Sequence, residues 1–189
     1  MQSDFKKVLS MNVLDHFSIP YQGLKNGMHQ FKFDVDDAFF DTFDKPFVEK
    51  GSLQVNMNFD KRPSLSVAQF SIDGEVEVRC DRCLQEFMLD ITSEFILHIK
   101  FGNPQLNEDE VMFIETEASI INFAEYIYEC ICLSVPMVNT HEDLAECDPE
   151  VVSRLYQVDK DETPLKEESV DIWQSLKKIN FESDETTNN

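Results

Sequence analysis

The clearest alternation of apolar and polar positions runs through the middle of the chain. Leu53, Val55, Met57 and Phe59 alternate with Gln54, Asn56, Asn58 and Asp60, and Gly51 precedes them. Period two marks a strand with one face in a core, so a strand is predicted here, ended by the turn Lys61-Arg62-Pro63. Beyond the turn the apolar parity moves from Leu65 and Val67 to Ala68, Phe70 and Ile72, which predicts a bulge. The second parity carries on through Val76 and Val78 to Cys80. Asp73-Gly74 is therefore read as part of one long bent strand rather than a hairpin turn. Past Cys83, Phe87, Leu89, Ile91, Phe95, Leu97, Ile99 and Phe101 keep one parity, while Met88, Asp90, Thr92, Glu94, Ile96, His98 and Lys100 take the other. Two alternating runs thus flank Cys80-Asp81-Arg82-Cys83, and an antiparallel hairpin is predicted with the cysteines in its turn.

The flanking regions are less regular. Phe17, Ile19 and Tyr21 alternate before the Gly23–Gly27 turn, and Phe31, Phe33 and Val35 after it, which predicts a first hairpin or strand pair. Asp36-Asp37-Ala38-Phe39-Phe40 predicts a short helix with the aspartates at its N-terminus. A polar loop follows Gly102, then a short strand at Val111–Ile114. Ile120, Ala124, Ile127 and Ile131 recur at helical spacing, which predicts one main helix over about 122–133, ended by Pro136. The remainder is acidic and loosely patterned until residues 170–179. There Trp173, Leu176 and Ile179 share one face of a predicted short amphipathic helix, and residues 182–189 are expected to be disordered. The resulting expectation is an α+β protein: a mainly antiparallel β-sheet or partly open barrel, with one main helix and a short C-terminal helix. Residues 1–156 would form a single β-rich domain and residues 157–189 an acidic tail.

Charge narrows the choice of partner. The chain has 189 residues, with 37 acidic against 16 basic and a formal net charge of -21. Sixteen Phe set it apart from a disordered chain. Broad nucleic-acid binding depends on neutralising phosphates, which so acidic a surface opposes. RNA contact would have to be local and basic; otherwise the acidic field would steer in a basic protein. The N-terminus lacks the apolar core of a signal peptide and no apolar run reaches spanning length, so a cytoplasmic protein without a membrane partner is expected. Five cysteines in that setting read as reduced thiols or metal ligands.

The CxxC spacing admits two chemistries, a grip on one soft metal ion or a small redox disulfide. A redox pair needs a helix starting at the motif, whose dipole lowers the first thiol's pKa. No helix is predicted there, so the metal knuckle is favoured. A structural zinc site takes four N or S ligands. His141 and Cys147, in a polar stretch able to fold back, are the best partners for Cys80 and Cys83. The alternative is a reduced, metal-free turn in which Cys147 is incidental. Arg79 and Arg82, two of the chain's four arginines, are candidate RNA or partner contacts, as is Trp173; alternatively the two arginines pair with Glu77, Asp81 or Glu86. Cys130 and Cys132 read as small helix hydrophobes, and His16, His29 and His98 as structural. Neither a catalytic constellation nor a small-molecule substrate site emerges, and the protein is expected not to be an enzyme.

These residues resemble a known family. Cys80-Asp81-Arg82-Cys83-Leu84 after an alternating strand is similar to the Cys-x-Arg-Cys-Leu signature of the YceD proteins, the large ribosomal RNA subunit accumulation proteins. Tyr128–Pro136 resembles that family's acidic-apolar helix with its Leu-x-x-Pro ending, and His141 and Cys147 fall where the family places a His and a Cys. Asp171-Ile172-Trp173-Gln174-Ser175-Leu176-Lys177-Lys178 resembles its closing segment, here without the proline. The resemblance runs from about Gly51 to Ile179. It implies a non-enzymatic role in accumulation of large-subunit ribosomal RNA and in ribosome assembly, through that RNA or a basic ribosomal protein. Many relatives carry a second CxxC where this chain has only Cys147, which leaves His141 as the substitute ligand. Two rival readings stand beside it: a thiol-redox or metal-handling protein centred on the CxxC, and a generic acidic interaction module.

Overall fold

The computed structural model of the chain describes residues 13–106 and 110–158. The chain divides into two compact units, one running to His141 and one beginning at Glu142. The first unit is α+β and is built on an open five-stranded sheet. Its strands are β2 (Gly27–Val35), β3 (Gly51–Lys61), β4 (Ser66–Arg79), β5 (Glu86–Phe101) and β6 (Val111–Ile114), in that spatial order. The first three pairings are antiparallel and β5 pairs with β6 in parallel. Of the two architectures expected, the open sheet is the one formed, since β2 and β6 stand at opposite edges.

Alternation places one side chain in two on a single buried face. Val55, Met57 and Phe59 on β3 meet Ala68, Phe70 and Ile72 on β4 and Leu97 and Ile99 on β5. The main helix, α2 (Ala124–Ser134), covers this face with Ile127 and Ile131, and Phe123 just before it lies 5.6 Å from Phe70 between ring centroids. Each such side chain, fully buried, contributes on the order of 2 kcal/mol. A short helix, α1 (Asp37–Phe40), adds Phe39 and Phe40 to the same core; the Asp36 side chain accepts from the Phe39 N–H at its N-terminus.

β4 runs unbroken through Asp73-Gly74. Gly74 has φ +146, and a Cβ there would sit 2.3 Å from the Ser52 carbonyl oxygen of β3. A glycine is required for the strands to approach this closely. The expected bulge near Ala68 is not formed, because pairing runs continuously from Asp60 opposite Val67 to Gly51 opposite Val76. Leu65 belongs to the turn, and Val67 lies half-buried on the outer side.

The expected first hairpin is also corrected. Pro20 interrupts the run, and Tyr21–Gly23 forms a 3-10 turn closed by Gly23 N–H to the Pro20 carbonyl. The residues before it, β1 (Ser18–Ile19), pair instead with β7 (Ile121–Asn122). Tyr21 stays buried under the Lys61 ammonium, which lies 4.3 Å above its ring. Ile120, assigned to the helix face, is exposed, and its neighbour Ile121 takes the core position on β7.

In the second unit the sequence reading missed a helix, α3 (Pro149–Val158). Its start was marked: Asp148 accepts from the Glu150 N–H at 2.8 Å, and Pro149 takes the first helical position. The helix expected near residues 170–179 and the terminal stretch 182–189 lie outside the described residues.

Candidate metal centre

β4 and β5 pair as far as Arg79 opposite Glu86, and residues 80–85 make the turn. The Cys80 N–H donates to the Gln85 carbonyl and the Leu84 N–H to the Cys80 carbonyl, both at 2.8 Å. Leu84 adopts φ 65, the left-handed region. For a non-glycine residue this costs about 1 kcal/mol or more, which the closed turn sustains. The turn buries both thiols, Cys80 at 0 % exposure and Cys83 at 4 %, while Leu84 faces outward.

The segment after α2 returns to this tip. Asp81 and Asn139 pair reciprocally: the Asp81 N–H donates to the Asn139 carbonyl and the Asn139 N–H to Asp81 Oδ2, both at 2.7 Å. That clamp lies two residues before His141 and fixes its approach. His141 is buried, its ring centroid 4.5 Å from that of Phe87 on β5. Its Nδ1 lies 3.6 Å from Cys83 Sγ. The ligating atoms of Cys80, Cys83 and His141 all lie within 4.8 Å of one another.

These distances fit a zinc ion. Zn–S of about 2.3 Å and Zn–N of about 2.0 Å in a tetrahedron put a sulfur and a nitrogen about 3.5 Å apart. The Cys83–His141 separation already has that length. Electrostatics agree. Burial alone pushes the Cys80 thiol up, but backbone N–H groups of Cys83, His141 and Arg82, with the Cys83 side chain, outweigh it and lower the thiol from 9.0 to about 6. Oriented N–H donors favour the thiolate, the form that ligates metal. The Cys80 thiol is thus held toward its anionic form while closed to solvent.

Cys147, the fourth expected ligand, is in the second unit, where it is buried. It follows the 3-10 turn Leu144–Glu146, whose start is capped by Asp143 accepting from the Ala145 N–H at 2.9 Å. Arg79 lies at the hairpin base with its guanidinium 3.7 Å from Glu86, the pairing that a plain strand surface would make. Arg82 is half-buried in the turn and turns its backbone N–H toward Cys80. Trp173 lies outside the described residues. Sequence reasoning missed Phe87 and Asn139, which set His141 in place. The only available signal was that Asn139 shares a short polar stretch with His141, and nothing in the pattern distinguished Phe87 from any other core-facing strand residue.

A family model described as large ribosomal RNA subunit accumulation protein YceD matches residues 68–180, more than half of the chain. The chain belongs to the YceD family. The YceD match opens in β4 at Ala68 and takes in the rest of the cysteine hairpin, α2 and the His141–Cys147 stretch. β2 and β3, which complete the sheet of this YceD protein, lie before it. Searches among curated proteins and among solved structures found no match. Among the described residues no helix is long and apolar enough to cross a membrane.

Proposed function

We propose that this protein is a non-catalytic cytoplasmic factor supporting accumulation of large-subunit ribosomal RNA during ribosome assembly, and that its cysteine hairpin is a structural zinc knuckle. Family membership supports the role. The observation that carries the knuckle is the convergence of Cys80, Cys83 and His141, buried and within 4.8 Å. Cys147 is proposed as the fourth ligand: it follows His141 by six positions, within easy reach of an extended chain, and supplies the thiol that completes a closed N/S set. Zinc would supply no reaction chemistry here. It would hold the β4–β5 tip and the returning 139–141 segment as one rigid contact surface.

Burial speaks against the rival redox reading. A thiol exchanging with other thiols must be reached by them, and Cys80 and Cys83 are almost wholly enclosed. Of the two contact classes, RNA phosphate through Arg79 and Arg82 or a basic ribosomal protein, the surroundings of the tip favour protein: Glu77, Asp81 and Glu86 are close in sequence, and Glu86 already engages Arg79.

Depletion tests the role. Loss of the protein should lower large-subunit RNA relative to small-subunit RNA, with wild type restoring the ratio and Cys80→Ser failing to do so. An unchanged ratio on depletion would overturn the assembly reading. Full rescue by Cys80→Ser would separate the knuckle from it.

A further inference from the structure

Beside the knuckle is an open groove of about 650 Å³ within the first unit. One wall is the loop carrying Phe47–Glu49; the other is the C-terminal end of α2 and the segment to Asn139; the floor is the end of the β4–β5 hairpin. The walls are fixed to one another. Tyr128 of α2 stacks on Phe43 with ring centroids 4.0 Å apart, and its hydroxyl accepts from the Phe47 N–H at 2.7 Å. Asp81 and Asn139 clamp the far end. A groove held in this way needs little ordering on binding.

Its chemistry has two parts. Phe47, Leu133 and Met137 line it and are 69 %, 76 % and 101 % exposed. Large apolar side chains facing one opening are the mark of a contact site. Four carboxylates, Glu49, Glu77, Asp81 and Glu86, line the same groove; two cations stand against them, Arg79 at 3.7 Å from Glu86 and Lys50 at 2.9 Å from Glu77, so the balance stays acidic. Phosphate would meet like charge here, so nucleic acid fits poorly. A second copy fits poorly too, since each chain carries a formal net charge of -21. What complements the groove is a protein segment with apolar anchors and lysine or arginine beside them.

We infer that this groove is a docking site for a basic, amphipathic segment of a partner protein. This rests on the assembly role proposed above, in which such partners are plentiful. Apolar anchors seat against Phe47, Leu133 and Met137, and cationic side chains meet the acidic floor.

The test uses the full chain and three labelled probes: a short amphipathic peptide of leucine and lysine, the same peptide with glutamate for lysine, and a single-stranded RNA. Anisotropy measures binding to wild type, to Leu133→Asp/Met137→Asp and to Glu49→Lys/Glu86→Lys. The changed positions are on the surface, and matching unfolding midpoints check that each variant folds. The lysine peptide should bind wild type and lose about tenfold or more in affinity with either variant, the scale of anchor residues at an interface. The glutamate peptide should bind only the charge-reversed variant. Equal binding of the lysine peptide by all three proteins would overturn the site, as would RNA binding that both groove variants abolish. Sedimentation with large-subunit precursors separates the two proposals. Precursor binding that persists in both variants, with peptide binding unchanged, removes the groove and leaves the role. Groove-dependent peptide binding without any precursor association does the opposite.

Discussion

Cys80 and Cys130 are both buried in the first unit, at 0 % and 2 % exposure, yet the fold drives their thiols in opposite directions. At the hairpin tip, backbone N–H groups converge on Cys80 and hold it at about 6 despite burial. On α2 the Cys130 thiol sits in apolar surroundings, and burial pushes it up to about 12; a hydrogen bond to Tyr126 offsets only part of that. Cys132, next along the helix but one, is raised for the same first reason. Enclosure therefore does not decide what a cysteine is for. A tight turn leaves N–H groups without strand or helix partners and can aim them at sulfur, whereas a helix interior spends its N–H groups on its own carbonyls. The first arrangement prepares a ligand; the second makes a small hydrophobe.

The largest expected effect follows directly. Purified protein should carry about one zinc per chain, and Cys80→Ser should lose nearly all of it, while Cys130→Ser should keep it. Elemental analysis of the three proteins checks this. Zinc retained by Cys80→Ser, or lost from Cys130→Ser, would break the comparison.

Next in size is a pair of opposed pH dependences in zinc-free protein. Cys80 has its folded pKa below its unfolded value of 9.0, so its contribution is full above pH 9 and disappears as pH falls through about 6. Cys130 has its folded pKa above 9.0, so its contribution is full below pH 9 and is lost as pH rises toward 12. Denaturant unfolding from pH 6 to 9 should therefore show the zinc-free wild type gaining stability over Cys80→Ser. Above pH 9 the wild type should lose stability relative to Cys130→Ala. Parallel profiles for wild type and variants would mean that the two environments do not differ.

The contrast was partly legible in the sequence. Alternation located β3, β4 and β5 because each strand buries a single face, and it therefore placed the CxxC in a hairpin turn. The same signal failed wherever a backbone hydrogen bond or a proline overrode parity. Phe17-x-Ile19-x-Tyr21 alternates as a strand would, but Pro20 turns the chain and β1 pairs with β7 instead of β2. Ile120 and Ile121 are adjacent apolar residues, and only the pairing of β7 decides which is buried. At the hairpin tip, Cys80, Cys83 and His141 were readable as candidate ligands from residue chemistry and spacing, and the fold brings those three together. The Asp81–Asn139 clamp and the Phe87 ring beside His141 were not readable, because they join residues more than fifty positions apart whose side chains carry no distinctive pattern. The groove was hidden for a similar reason. Phe47, Leu133 and Met137 read as ordinary apolar residues until the fold shows them exposed around one opening.

The smallest expected effect concerns Cys130→Ala. If Cys130 acts only by filling space, its replacement loses one buried sulfur and gains a better helix former. Removing an atom of this size from a core costs on the order of 1 kcal/mol, and alanine returns up to about 0.7 kcal/mol of helix propensity. The net change in unfolding free energy at pH 7 should therefore be well under 1 kcal/mol, with the denaturant slope unchanged. Cys130→Ser should be worse than alanine, because its hydroxyl must be desolvated in a largely apolar site, where the Tyr126 side chain is its hydrogen-bond partner. An alanine variant clearly less stable than serine would mean that the hydrogen bond with Tyr126, which a serine hydroxyl can keep, outweighs space filling at Cys130. It would then resemble Cys80 more than its raised pKa implies.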